Sequence, residues 1–412
     1  MKRATFLLLL SLITTACTRE ERFSRIDDIM NDHVKKEQIA GAVALVAKDG
    51  VVSYHKAFGF QDRDDQIPMT PSSLFRIASM TKPITCAAVM ILWDEGKFFL
   101  SDPVSKYIPE YETMTVRTRS ENGDITERPA EKQITVKQLL THTSGLSYHW
   151  NPVVGEDYAA AGIGHGLSAD TSTTRADMTA LASIPLVQEP GSHWHYGLNI
   201  DLLGYLVEIW SGMPFQDFLK TRIFAPLEMR DTRFTIPEEE KASLAAVYRP
   251  DESSNAVESD PTMTYSCGGG CSYQVDYPYR ADKQFFAGGA GLISTAGDYF
   301  NFLKMMLRDG SYRGKRILSR KAVELMTRDQ LASMDIEWQN GVGFGFGIGV
   351  HTDPVRSGEI FGEGTFFWGG FFYTTFWVDP RQDLIAVMMT QNYPNNHLSL
   401  RQQFRNAVYQ SL

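Results

Sequence analysis

The chain has 412 residues, 43% hydrophobic and 22% charged, the balance of a folded globular protein large enough for two lobes. Its formal net charge of -9, with no basic stripe, argues against a nucleic-acid binder. No internal repeat or low-complexity tract interrupts it.

Met1-Lys2-Arg3, an apolar stretch over residues 6–10 and small residues up to Ala16-Cys17 read as a bacterial export signal. Its apolar core is too short to span a bilayer as a stable helix. The expected location is therefore the periplasm. Residues 13–17 resemble a lipoprotein processing site, which would place lipid on Cys17 and anchor the chain to the outer membrane. Thr14 stands where that pattern has Leu, so simple cleavage and release is the alternative.

A helix is expected over residues 23–39, where Phe23, Ile26, Met30 and Val34 recur at helical spacing. Residues 41–47 and 51–60 read as strands joined at the Asp49-Gly50 turn. An apolar helix begins near Ser79 and ends near Gly96, and residues 134–145 carry a short capped helix running into a glycine turn. Stretches 146–195 and 235–285 are irregular, while 199–210 and 214–223 are helical. A further helix covers 297–307, entered through Thr295 and Asp298 as a capping box. Three late strands, 343–350, 371–378 and 384–390, precede a terminal helix over 398–412. With strands at both chain ends, the expected class is α+β. One antiparallel sheet draws on residues 18–75 and 286–412, and a mostly helical lobe spans 76–285, with the active site at the seam. Cys86 falls inside the buried helix as an apolar filler. Cys267 and Cys271 bracket three glycines and fit either a local disulfide or two free thiols. A zinc site would need a second Cys or His pair.

The chemistry centres on Ser79-Met80-Thr81-Lys82. On a helix, residues i and i+3 share a face, so hydroxyl and amine meet. Pro83 fits when the helix begins near Ser79, where first-turn amides lack intrahelical partners. A lysine at the head of a buried helix is partly desolvated, which lowers its pKa and makes it a usable base. Ser53-Tyr54-His55-Lys56 has the same spacing but falls in a strand, where i and i+3 point to opposite faces. Ser79 is therefore the expected nucleophile. His193 and His195 lack an acidic companion at ligand spacing, so neither a metal nor a cofactor is expected, and His142 reads as a turn residue. No Gly-x-Ser-x-Gly occurs, which argues against an α/β-hydrolase elbow.

Further along stand Leu139-Leu140-Thr141-His142-Thr143-Ser144-Gly145 and Pro190-Gly191-Ser192-His193-Trp194-His195-Tyr196-Gly197-Leu198. Ile223-Phe224-Ala225-Pro226-Leu227, Gly288-Gly289-Ala290-Gly291-Leu292 and Trp368-Gly369-Gly370 follow. In this order, over residues 24–400, they resemble the serine β-lactamase and penicillin-binding superfamily. The likeness is to its class C-like branch, which also holds transesterases and bacterial carboxylesterases of the family VIII type. That resemblance implies that Tyr196 takes the Ser79 proton and later activates water, its phenol drawn toward neutrality from ~10 by Lys82. It implies an oxyanion hole formed by the backbone N–H groups of Ser79 and Phe371. Trp368-Gly369-Gly370 replaces the lysine-bearing strand motif of β-lactamases, and Leu198 stands where they have Asn. The substrate-facing positions Trp368, Gly369, Gly370 and Leu198 therefore lack the polar contacts that hold a β-lactam carboxylate. Phe366, Phe367, Phe371, Phe372, Trp377 and Trp194 are expected to make an aromatic approach to the nucleophile. The implied function is a serine hydrolase that cleaves small carboxylic esters through a Ser79 acyl-enzyme. A β-lactamase, D-Ala-type peptidase or transesterase of the same fold is the alternative. An inactive envelope-binding lipoprotein is the alternative of another class.

Overall fold

The computed structural model describes residues 22–412 except 169, 170, 333, 335, 337 and 338, so the expected export signal and Cys17 lie outside the described residues. Among the described residues no helix is long and apolar enough to cross a membrane. Helix α1 (Ser24–Lys35) leads into strands β1 (Gly41–Lys48), β2 (Val51–Asp62) and β3 (Ile67–Pro68). Helices α2 (Thr81–Asp94), α3 (Asn199–Ser211) and α4 (Ala296–Leu307) follow. The chain then returns through β4 (Val342–Phe344), β5 (Gly349–His351), β6 (Phe366–Gly369), β7 (Thr375–Asp379) and β8 (Leu384–Met389) to α5 (Leu400–Gln410). These strands form one eight-stranded antiparallel sheet in the order β4-β5-β6-β7-β8-β1-β2-β3. The expected α+β class, with a sheet drawn from both chain ends, is what the structure has.

Alternation along the central strands sorts their side chains between two apolar layers. Val43, Leu45 and Ala47 of β1 join Ile385, Val387 and Met389 of β8 in the large core around α2 and α4. Ala42, Ala44 and Val46 face the other way with Ala386 and Met388, under residues of α1 and α5 such as Ile26, Met30 and Phe404. Both faces are covered, which is why β1 reads as an unbroken apolar run rather than alternating with polar residues. Helix α2 is buried at every position from Thr81 to Leu92, as an apolar segment with no polar face requires. Cys86 lies within it as a free, buried thiol.

Local signals behave unevenly. Thr135 and Gln138 form the complete capping box of the short helix Val136–Leu140. At α4 only half of the expected box exists: Thr295 accepts the Asp298 N–H at 3.1 Å. The Asp298 carboxylate turns instead to the Asp231 N–H and the Thr232 hydroxyl. The late part of the chain makes five strands where three are expected. Residues 343–350 split into the β4/β5 hairpin, with Gly347 at φ +74 beside the Cys86 thiol. Strand β6 is unforeseen, and the expected strand 371–378 starts only at Thr375. Residues 370–374 are a turn closed by Gly370 N–H to Thr374 C=O at 2.9 Å and Tyr373 N–H to Gly370 C=O at 3.1 Å. Cys267 and Cys271 are disulfide-bonded across the hairpin Thr264–Gly268/Cys271–Gln274, which closes the choice the sequence leaves open.

Candidate active site

Ser79 lies at the point where a short strand turns into α2. Phe75-Arg76 pairs with Ile293-Ser294, and the chain passes through Ala78 at φ +43 into a single 3-10 turn, Ala78–Met80. A non-glycine residue in that region costs roughly 1–3 kcal/mol, which the surroundings must offset. Arg76 does so from within: its buried guanidinium donates to the carbonyls of Val275 and Ala245, each at 2.8 Å. Three chain segments thereby clamp the approach to the serine.

Lys82 is fully buried one turn later, and its Nζ makes three hydrogen bonds: to Gly289 C=O at 2.8 Å, to Tyr148 Oη at 3.0 Å and to Ser79 Oγ at 3.3 Å. The Gly289 carbonyl is held in turn, since the Gly289 N–H donates to Asp201 Oδ1 at 2.9 Å. A Cβ on Gly289 would lie 2.4 Å from Asp201 Oδ2, so only glycine lets the loop come this close. The i,i+3 meeting expected from the sequence is therefore present. Tyr148 is not foreseen; it falls in the irregular stretch 146–195 with no pattern to mark it. Burial, then the neighbouring Tyr196 and Asp201, push its phenol well above the usual tyrosine range, so it stays a neutral hydroxyl.

Tyr196 is half-buried, and Lys82 Nζ lies 4.5 Å from its ring centroid. Its hydroxyl makes no hydrogen bond to Ser79 or Lys82; it is the ring face, not the oxygen, that meets the amine here. His142 sits 4.8 Å from the Tyr196 ring, at φ +53, and its Nδ1 receives the Asn199 amide at 2.9 Å. Burial, with Lys82 and His195 adding to it, holds this imidazole well below its usual pKa and therefore neutral. It is a support under Tyr196. His195 N–H also donates to His142 C=O at 2.7 Å, stitching the two motif segments together.

Segments that are far apart in the chain thus meet around Lys82, which contacts Ser79, Tyr148, Gly289 and the ring of Tyr196. Residues 26–409 match the Beta-lactamase family. The chain belongs to the β-lactamase family. Among its relatives is the esterase EstB of Burkholderia gladioli, 30% identical over 403 residues that cover 94% of this chain and 95% of EstB. Among solved structures, EstCE1, a hydrolase with promiscuous acyltransferase activity, matches with a TM-score of 0.78 at 26% identity, over 95% of this chain and 99% of its own. Simvastatin synthase (LovD) of Aspergillus terreus matches with a TM-score of 0.76 at 25% identity, over 94% of this chain and 98% of its own.

In this β-lactamase-family chain the serine opens on a cleft of about 560 Å³. Trp194, Tyr196, Phe367, Trp368, Phe376 and Trp377 give it an aromatic wall, and Gly369 and Gly370 of the β6 end lie beside them. Of the expected aromatic approach, Phe366, Phe371 and Phe372 are not on this wall; Phe371 stacks on Tyr393 at 3.7 Å instead. Leu198 also needs correcting. It is 0% exposed and packs in the core at the start of α3, so it does not face substrate. No acceptor among the described residues takes the backbone N–H of Ser79 or of Phe371.

Gly370 lets the turn after β6 pack closely against Ile77, in the segment that leads into Ser79. A Cβ there would lie 2.4 Å from Ile77 O and 2.1 Å from Thr374 Oγ1, whereas one at Gly369 meets nothing nearer than 3.2 Å. The Gly370→Ala variant is expected to lose about 1–3 kcal/mol of stability and at least tenfold in kcat, as the turn retreats from Ser79. Gly369→Ala should keep most of both. Denaturant unfolding and steady-state rates on the two variants check this.

Proposed function

We propose that this chain is a serine hydrolase of carboxylic esters, working through an acyl group carried on Ser79. The observation that carries the reading is the commitment of Lys82. Two of its hydrogen bonds go to Gly289 and Tyr148, so the remaining valence of the nitrogen is directed at the serine hydroxyl. As Oγ attacks the ester carbonyl carbon, its proton passes to the Lys82 nitrogen. The carbonyl oxygen becomes an oxyanion held by the N–H groups of Ser79 and Phe371. Collapse breaks the bond to the alkoxide, which takes the proton back from Lys82, and water then repeats the sequence to release the acid. Tyr148, a neutral hydroxyl, keeps the amine aimed.

The esterase and acyltransferase relatives support acyl chemistry of this kind, with an alcohol as the alternative acceptor. The uncharged Trp368 at the cleft supports an ester over a β-lactam. The Cys267–Cys271 disulfide supports export to an oxidising compartment. Mixing the protein with p-nitrophenyl butyrate, quenching in acid and weighing it intact is expected to show one butyryl addition, mapped to the peptide bearing Ser79. Turnover without an adduct, or an adduct on another residue, would overturn the reading.

A further inference from the structure

The tip that Cys267 and Cys271 close is Gly268-Gly269-Gly270, with all three glycines at positive φ. Such a tip has no side chains to pack and the most backbone freedom to lose, so a crosslink across it decides its shape. A disulfide stabilises the whole fold more as the loop it closes lengthens. This one joins residues only four apart, so its effect is mainly local. What it fixes is a contact. A Cβ on Gly269 would lie 2.6 Å from both Cα and O of Trp150, so the tip rests directly on the Trp150 backbone.

The Trp150 indole stacks on the Tyr148 ring, with centroids 4.4 Å apart and planes at 25°. The Tyr148 hydroxyl in turn meets Lys82 Nζ at 3.0 Å. Tyr148 lies in no helix or strand, so its neighbours set where that hydroxyl points. The other end of the hairpin is rooted at the site as well. Tyr273 packs against the Phe371 ring at 5.4 Å, and the Val275 carbonyl receives Arg76 Nε at 2.8 Å. From the turn bearing the Phe371 amide and from the clamp on the approach to Ser79, the hairpin reaches across to the base.

We propose that the Cys267–Cys271 tip is a positioning element for the base: through Trp150 it holds Tyr148, and through Tyr148 it keeps the Lys82 amine on Ser79. That the activated serine attacks an ester rests on the hydrolase reading above; the positioning of Lys82 does not. Tyr148, Trp150 and the hairpin lie off the cleft wall, so the contact bears on rate and not on substrate binding.

Two measurements on the full chain test this. The first is the rate at which a fluorophosphonate labels Ser79: Oγ bonds to phosphorus, fluoride leaves and Lys82 takes the proton, so the rate reads activation of the hydroxyl whatever the natural substrate. The second is kcat and KM on p-nitrophenyl butyrate. The double variant Cys267→Ala/Cys271→Ala should lose about tenfold or more in labelling rate and in kcat, as a small misplacement of a catalytic group does, with KM within twofold of wild type. Tyr148→Phe should lose a similar factor. Adding the cysteine pair to it should cost less than twofold more, because both act through one hydroxyl. A general loosening of the fold would multiply the two losses instead. Trp150→Ala should match the cysteine pair, and Trp150→Phe, which keeps a ring over Tyr148, should stay within threefold of wild type. The Trp150 side is 42% exposed, so these two variants decide the matter should the cysteine pair fail to fold. Labelling within twofold of wild type in the cysteine pair, in Trp150→Ala or in Tyr148→Phe, or losses that multiply, would overturn the proposal. The expected labelling pattern with no ester turned over would uphold it and sink the hydrolase reading. A wild type that takes no label at Ser79 would overturn both.

Discussion

Ser79→Ala is expected to abolish ester turnover, with kcat/KM falling by about 10⁴-fold or more, the scale seen when the nucleophile of a covalent mechanism is removed. The residual rate would come from binding and the oxyanion donors alone. Little else should change. The serine makes a single side-chain contact in the site, to Lys82 at 3.3 Å, and that nitrogen keeps Gly289 and Tyr148 as acceptors. The unfolding free energy should therefore shift by less than about 1 kcal/mol, as is usual for a small substitution that leaves no buried group unpaired. Initial rates on a p-nitrophenyl ester beside a denaturant melt separate the two effects. Turnover close to wild type would move the nucleophile away from Ser79; the hydroxyl of Ser53, in β2, donates to Val51 C=O.

Lys82→Met carries the second large effect and a different signature. Methionine is close in length to lysine and apolar, so it should fill the space within α2 without overpacking. It cannot take a proton, and kcat should fall by about 10³-fold or more, in line with loss of the base that activates a nucleophile. Stability should fall as well. The Gly289 carbonyl and the Tyr148 hydroxyl are both buried, and each loses its donor, at about 1–3 kcal/mol for an unsatisfied buried polar group. Relief from no longer burying the polar lysine nitrogen opposes this, but that nitrogen already has three hydrogen-bond partners, so the unpaired acceptors should win. A loss of activity under tenfold would assign the base role to Tyr196 instead. A variant as stable as wild type would show that water reaches the two acceptors.

What the sequence reveals here depends on range. The Ser79/Lys82 pair is legible because helical geometry acts over three residues, and the Thr135 capping box for the same reason. The ordered motifs reveal the superfamily and place Tyr196, Trp368 and the glycines at one cleft. Tyr148 is not legible: it reaches Lys82 across 66 positions of chain, from a stretch with no periodicity. Strand β6 is missed because its aromatic run, Phe366 to Trp368, ends in two glycines and does not alternate. The turn that follows is closed by hydrogen bonds among its own residues and braced from α5 by Arg401, a partner the local sequence does not reveal. Leu198 is misjudged because a motif position predicts which residue sits where, not which way its side chain points. Arg401 lies outside every motif, and only the fold carries it to the cleft.

The central place of β1 has a consequence for biosynthesis. Val43 is paired on one side with Ala57, a near neighbour, and on the other with Met389, close to the end of the chain. A ribosome delivers the first hairpin early, and its inner edge then stays open, with unmet N–H and C=O groups, until almost the whole polypeptide has emerged. Assembly cannot proceed vectorially from the amino end. The sheet closes last, and until then the exposed rim of β1 is a template for pairing with a foreign strand.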